Sequence, residues 1–592
     1  MSAIDPREAT VAHVVGLAEH SLTAAKVNDV DVVLVRNGDS VAAFEGRCPH
    51  RGTLLAEGTI DGDQIVCAGH GWRFDARTGV NADPSRACLR PLTTRIVDGH
   101  VLVDTADLAA VATQTTPMAA RNLDDLPGPR GLPLLGNLLQ LDLKRLHAVF
   151  EAWRHDYGDV YRVGLAGRPA VAISAPDLMR DVLRRRPDDF RRIGTIEPVL
   201  SELGVMGVFA AEGDVWRRHR RLVTRALDAR HLRRFLPMLM GITRRLHRRW
   251  STAAEAGAVV DMPRDMMRFT VDVTTSLVFG HDINTIEGHG DEIRRHLELV
   301  FPMINRRINM PFAYWRKVKL PSDRRLDAAL AQVHAYCFAL IDETRQRLAA
   351  DPGLAARPGN LLEAMVAATT DEGERLTGEE LLGNMLTMLL AGEDTTANTL
   401  AWTVYLMSRS PDVRDALRTE IDAAAMDQPA TYVEQGGLPC TDAVVAEAMR
   451  LKPVAPLLFF EANHDVVLGD IRLPGGTGVV LPTRLPGIDA SVIESPDSFR
   501  PERWLMPRPP GSDWRADVMP FGGGPRFCPG RNLALIEARM VTAMLYRHFD
   551  VELVTDPDAV GERFSFTMAP TDLRVRLRVR DAGRVPEHVA PR

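Results

Sequence analysis

Cysteine is scarce in this chain, with six residues in 592, and they are scattered rather than regularly spaced. That excludes a disulfide framework and fits a reducing compartment. No run of about 18 or more apolar residues occurs, so no membrane span is expected. The stretch from Met1 to Glu8 also lacks the basic and apolar regions of a secretory signal, and the expected location is cytoplasmic. A large excess of one charge is absent too. With 72 Lys+Arg against 78 Asp+Glu the net charge is −6 and the pI near 6.3, which argues against nucleic acid as a partner. No Gly-x-Gly-x-x-Gly turn is found, so the chain is not expected to carry its own nucleotide or flavin domain.

At 592 residues the chain exceeds what one core supports, and at least two domains are expected. Residues 1–104 read as an all-β domain, where the alternating runs Val32–Val35 and Val41–Phe44 flank Asn37-Gly38, a strong hairpin signal. Two loops rich in glycine or proline hold Cys48-Pro-His50 and Cys67-Ala-Gly-His70. Two thiolates and two imidazoles from two loops suit a two-iron cluster, with soft ligands on one iron and neutral nitrogens on the other. A closed tetrahedral zinc site is the alternative. Cys88, Cys337 and Cys440 read as ordinary thiols.

The context of these loops, Cys48-Pro-His-Arg-Gly and Cys67-Ala-Gly-His-Gly-Trp-Arg-Phe-Asp75 with the trailing Thr78-Gly79, resembles Rieske ferredoxin domains. The resemblance implies a [2Fe-2S] cluster, with Cys48 and Cys67 on one iron and His50 and His70 on the other. Ala68-Gly69 stands where the family carries bulkier residues, which bears on exposure and potential rather than ligation. The additional cysteine pair that membrane-complex Rieske proteins use as a disulfide is missing, which favours the soluble type.

Residues 105–125 turn to Ala, Thr, Gln and Met with little pattern and read as a linker. A flexible tether of this length spans roughly 25 Å root-mean-square and about 65 Å fully stretched. It raises the effective concentration of one domain at the other to the order of millimolar. From Leu126-Pro-Gly-Pro onward, residues 126–592, helical periodicity dominates with a few strand pairs. The expected second domain is mainly α with minor β-sheets.

The chain is organised around Phe521-Gly-Gly-Gly-Pro-Arg-Phe-Cys528-Pro-Gly530. Glycines and prolines on both sides of one cysteine let the backbone pass close to a flat ligand while the sulfur faces a metal. The apolar spacing from Asn532 to Val541 predicts a helix just after Cys528, whose N–H groups favour the thiolate. Phe521, Gly524, Arg526, Cys528 and Gly530 stand at the spacing of the haem-binding loop of cytochrome P450, which this stretch closely resembles. The resemblance implies haem b, with Cys528 as its axial ligand, Phe521 packed beside the sulfur, and Arg526 pairing with a propionate.

Upstream, Trp216 and Arg220 lie at i and i+4 of an arginine-rich amphipathic helix and share a face. In the family such a pair hydrogen-bonds haem propionates, whereas Arg217, Arg218 and Arg221 read equally as a solvated basic face. Residues 1–105 hold fourteen Asp/Glu against ten Lys/Arg, a net of −4, so an acidic donor domain is expected to face this basic helix. Thr377-Gly-Glu-Glu380 is a capping box opening a helix that Pro411 stops, about 50 Å long. In its middle stands Ala391-Gly-Glu-Asp-Thr-Thr396, where Thr395 can bond back to the Ala391 carbonyl. The run matches the family's oxygen-activation motif, implying that Thr395 holds O2 and Asp394 feeds protons. Glu447-Ala-Met-Arg450 and Arg503 resemble the family's buried triad, a structural support for the haem loop. Leu485–Ala490 departs from the polar pattern common there.

Together these resemblances imply a natural fusion of a Rieske-type domain with a haem-thiolate monooxygenase. It would hydroxylate or epoxidise a lipophilic small molecule with O2. Electrons would pass through the [2Fe-2S] cluster from an external NAD(P)H-dependent flavoprotein reductase. Residues 453–460 and 565–569 are expected to line the substrate pocket. Two other readings stay open: a non-catalytic haem and cluster sensor of redox state or O2, and a reductase-independent isomerase or peroxygenase.

Overall fold

The computed structural model describes the chain except for residues 1–7, 20, 28–29, 39, 50–53, 68–71, 83–87, 113–120, 166, 289–291, 309, 311–312, 370–372, 425–436, 508–513 and 581–592. At the N-terminal end the hairpin forms where the sequence places it. Leu22–Val27, Val30–Asn37 and Ser40–Glu45 run antiparallel, Asn37 pairs with Ser40, and Gly38 turns at a φ of 62°. Pro91–Leu92 completes this four-stranded sheet. Glu8–His13, Thr94–Val97 and His100–Asp104 form a second sheet, and both contribute to one core around Val32, Leu34, Val101 and Val103.

A third small sheet, Thr59–Asp61, Gln64–Val66 and Arg73–Asp75, carries the cysteine loops. Leu55 N–H closes the first loop on the Gly46 carbonyl at 2.8 Å, and Cys67 N–H closes the second on the Trp72 carbonyl at 2.9 Å. Asp75 accepts the Arg77 and Thr78 N–H groups and the Thr78 hydroxyl, which fixes the Thr78-Gly79 turn.

Between the domains the structure has more order than the sequence pattern suggests. Thr105–Ala112 is a helix. Its alanines favour that state, Asp104 accepts the Ala106 N–H at 2.7 Å, and Leu108 is buried in the N-terminal core. At the other end Arg121–Asn122 pairs in parallel with Ile471–Leu473 of the second domain. Residues 113–120 alone lie between, and eight residues span at most about 28 Å. The 65 Å reach of a 21-residue tether is therefore corrected downward.

The second domain is mainly helical. Its long central helix, Gly378–Ser408, starts at the capping box, with Glu380 N–H on Thr377 Oγ1 at 3.2 Å and Thr377 N–H on Glu380 Oε2 at 2.8 Å. It packs against Met262–Phe279, Arg531–His548 and Pro439–Leu451. A five-stranded sheet flanks the helices, in the order Val160–Leu165, Arg168–Ile173, Gly478–Pro482, Leu457–Ala462, Phe190–Arg192.

Glu447, Arg450 and Arg503 do form one buried cluster. Glu447 Oε1 accepts Arg450 Nη2 at 2.7 Å and Arg503 Nε at 3.0 Å, while Oε2 accepts Arg450 Nε and Trp504 Nε1, each at 2.8 Å. Arg450 also donates to the carbonyls of Gly487, Pro496 and Ser498. This gives the unusual 485–490 stretch its role. Leu485–Ile488 makes a tight turn whose Gly487 carbonyl receives the guanidinium through the backbone, so the contact needs no polar side chain.

Candidate functional site

The cysteine loop is built by close backbone packing. Cys528 N–H donates to the Phe521 carbonyl at 3.0 Å. Gly524, at a φ of +66°, lets the end of the Pro176–Arg184 helix press onto the loop, since a Cβ there would stand 2.1 Å from the Leu183 carbonyl oxygen. Cys528 and Phe521 line a cavity of about 420 Å³. The Arg531–His548 helix starts three residues later, as its spacing predicts. Its effect on the thiol is outweighed, however. Burial raises the Cys528 pKa, and the N–H groups of Gly530 and Arg531 with the charge of Arg220 only partly oppose that.

Trp216 and Arg220 are both buried on the Gly213–Ala226 helix and line the same cavity. Arg220 donates to the Phe527 carbonyl at 2.7 Å and lies over the Phe527 ring. Arg526 stacks on Trp216, donates to the Ala211 carbonyl at 2.6 Å and pairs with Glu212. Two arginines that the sequence did not single out complete the group. Arg192 donates to the Phe209 carbonyl at 2.7 Å over that residue's ring. Arg186 is buried over Phe460 with Nε and Nη2 unpartnered. Burial lowers all four guanidinium pKa values, to about 9 for Arg192 and about 10 for Arg220, and the charge of Arg526 adds to the lowering in Arg186, Arg192 and Arg220. Three of them, Arg186, Arg192 and Arg526, share the charge of Glu212, so cationic groups outnumber the carboxylates close to them.

In the N-terminal domain Cys48 and Cys67 are both buried in one small core with Leu55, Ile65, Trp72 and Phe74. His50 and His70 lie outside the described residues. Two family models match the chain: cytochrome P450 over residues 126–576 and the Rieske [2Fe-2S] domain over residues 8–94. This chain belongs to the cytochrome P450 family and carries a Rieske domain ahead of it.

Among relatives of this P450 are cyclooctatin synthase of Streptomyces melanosporofaciens, 30% identical over 72% of this chain and 90% of that protein, and human mitochondrial 25-hydroxyvitamin D-1 alpha hydroxylase, 29% identical over 73% and 88%. The crystal structure of the cytochrome P450DA heme domain shares the fold, with a TM-score of 0.68, 23% identity, and coverage of 78% of this chain and 99% of that one. The cofactors are haem and a [2Fe-2S] cluster. The site fits haem. A cysteine sulfur, an apolar slot, and guanidinium groups in excess of carboxylate match an iron, a flat macrocycle and its two propionates.

Beyond the cysteine loop, the P450 cavity is walled by the central helix and the two predicted stretches. Thr395 Oγ1 donates to the Ala391 carbonyl at 2.6 Å, the back-bond expected from the sequence, and both residues line the cavity. Asp394 is not on the cavity wall, and burial holds its carboxyl above the usual range. Val454, Ala455, Leu457–Phe460 and Ser565–Thr567 do line it. So do Thr274, Leu277, Val278 and Phe209, whose helical or loop spacing is indistinguishable from core packing in sequence. Glu537 was also missed. It is buried at the cavity with Oε2 unpartnered, and burial pushes its pKa up to about 8. Of the remaining basic residues, Arg217 pairs with Asp188 and Asp214, and Arg218 with Glu380. Arg221 stays exposed. Among the described residues no helix is long and apolar enough to cross a membrane.

Proposed function

We propose that this P450 hydroxylates or epoxidises a lipophilic small molecule in the cytoplasm, drawing electrons through its own Rieske cluster from an external NAD(P)H-dependent flavoprotein reductase. The observation that carries this reading is the direct contact between the cysteine-bearing end of the Rieske domain and the helix pressed on the Cys528 loop, where Arg47 donates to the Arg184 carbonyl at 3.0 Å. Cys48 and Cys67 would hold one cluster iron, and His50 and His70 the other. Cys528 would hold the haem iron, with Phe521 beside the sulfur. Trp216, Arg220 and Arg526, joined by Arg186 and Arg192, would pair with the propionates.

When bound, haem supplies reductive activation of O2 and transfer of one oxygen atom to substrate. The chain supplies the rest. Apolar side chains such as Leu277, Val278, Phe459 and Phe566 exclude water and take a lipophile. The 25-hydroxyvitamin D of the relative's name is one such lipophile. Asp394, kept protonated to higher pH by burial, is a proton donor one residue from the cavity-facing Thr395 hydroxyl. Glu447, Arg450 and Arg503 support the loop.

The test uses purified full-length holoprotein with a reductase and a panel of lipophiles. Cys67→Ser should abolish NAD(P)H-driven product formation while leaving peroxide-driven oxidation. Equal NAD(P)H-driven turnover in the variant would instead place the chain with the reductase-independent haem-thiolate enzymes.

A further inference from the structure

We infer that Arg47 pins the cluster-bearing end of the N-terminal domain onto the haem-loop face of the P450 domain, and that this contact is the electron-transfer junction. The inference rests on the relay proposed above and names the surface it uses.

Arg47 immediately precedes Cys48 and uses its guanidinium in three directions. Nε donates to Asp31 at 2.7 Å, which anchors the side chain on a strand of its own domain. Nη1 donates across the domain boundary to the Arg184 carbonyl at 3.0 Å, and Nη2 lies 3.9 Å from the Asp188 carboxylate. Arg184 is the last residue of the Pro176–Arg184 helix. A helix C-terminus presents unsatisfied carbonyls and partial negative charge, so a cation there is favoured twice over. Asp188 is itself fixed by Arg217 of the P450 domain, so it is a preformed acceptor.

The other side of Arg184 touches the haem loop, since a Cβ on Gly524 would stand 3.0 Å from Arg184 Cα. One side chain, one hydrogen bond and one packing contact therefore separate Cys48 from the loop that presents Cys528. An electrostatic interaction of opposite sign acts across the same boundary. Glu57, at the edge of the first cysteine loop, keeps solvent access, yet surrounding protein raises its pKa against the opposing charges of Arg220, Arg47 and Arg221. Arg220 in turn acts on both Glu57 and Cys528.

The two interactions have opposite polarity. Glu57 against Arg220 and Arg221 has the sign expected of an acidic domain on a basic helix, whereas Arg47 against Asp188 reverses it. Paired interactions of opposite sign fix orientation rather than supplying only attraction. Each transfer at this junction oxidises the cluster by one electron and reduces the haem iron by one, and the flavoprotein reductase restores the cluster.

The experiment uses full-length protein carrying cluster and haem. The cluster is photoreduced under carbon monoxide, and formation of the reduced haem carbonyl band is followed in wild type, Arg47→Met, Arg47→Lys and Asp188→Asn. Losing a charge-assisted hydrogen bond should slow transfer about tenfold in Arg47→Met and severalfold in Asp188→Asn, with Arg47→Lys in between wild type and Arg47→Met. Hydrogen exchange over residues 183–189 should rise in parallel, while the cluster's spin-resonance spectrum stays unchanged. Should Arg47→Met lose the cluster signal, Asp188→Asn, remote from the cluster ligands in sequence, decides alone. Unchanged transfer and exchange in the variants that retain their cluster overturn the inference. No transfer in the wild type overturns the relay itself.

Discussion

Replacing Glu447 with glutamine should destabilise the P450 domain far more than neutralising an exposed acid of comparable geometry. One buried carboxylate accepts two arginines, the Trp504 indole and the Arg500 N–H. Its side chain and that of Arg450 are both 0% exposed. In Glu447→Gln the charge is lost and an amide donor faces other donors, leaving buried guanidinium groups uncompensated. Breaking a buried pair in this way costs about 3–5 kcal/mol. For a domain spanning 126–576 the unfolding entropy is about 0.9 kcal/mol/K, so the melting temperature should fall by about 3–5 °C. The control is Asp442→Asn, whose two-pronged pair with Arg539 at 2.7 and 2.8 Å leaves Asp442 half exposed. It should cost less than about 1 kcal/mol, or about 1 °C. Calorimetry of the two holoproteins decides. A shift in Glu447→Gln no larger than in Asp442→Asn would refute the reasoning.

Three further outcomes follow from the site. Arg186→Leu removes a buried cation with unpartnered nitrogens, so it should raise the melting temperature of the haem-free protein while increasing haem loss to excess apomyoglobin about tenfold. Gly524→Ala adds a Cβ 2.1 Å from the Leu183 carbonyl oxygen at a positive φ. Haem content per chain should fall by more than about half; full incorporation would contradict the packing described. Burial alone would raise the pKa of Glu562, but His147, Arg484 and Lys452 together hold it well below the usual carboxylate range. A carboxyl depressed on folding contributes stability above its unfolded pKa, near 4.5, that is lost as pH falls towards the folded value. Wild type should therefore lose stability in denaturant melts as pH is lowered below about 4.5, and Glu562→Gln should show a flatter profile there.

Those features of the site set by local backbone chemistry were legible in sequence. The Cys528 loop, the capping box at Thr377, the Thr395 back-bond and the Asn37-Gly38 hairpin each depend on a few adjacent residues whose geometry is restricted. The Glu447 cluster was legible through the resemblance of Glu447, Arg450 and Arg503 to the family's buried triad, since the spacing of Glu447 and Arg450 alone fits a surface ion pair equally well. What escaped depends on contacts between distant segments. Arg186 sits in an Arg-Arg-Arg run where nothing local separates the buried member from its neighbours. Leu277 and Val278 read as ordinary core until the helix carrying them is placed against Gly378–Ser408. Glu537 looks like a polar position of an amphipathic helix. The helix at Thr105–Ala112 was hidden because alanine supplies propensity without a sharp apolar stripe.

The central claim is that Cys528 holds a haem iron that the tethered cluster reduces. Photoreduction of the cluster in full-length holoprotein under carbon monoxide tests both halves in one trace. The account predicts loss of the cluster's reduced signal with matching growth of a thiolate-haem carbonyl band in wild type. Growth should be absent in Cys67→Ser, and the thiolate band absent in Cys528→Ala. A reduced cluster that persists beside an oxidised haem, or the same carbonyl band in Cys528→Ala, would contradict it.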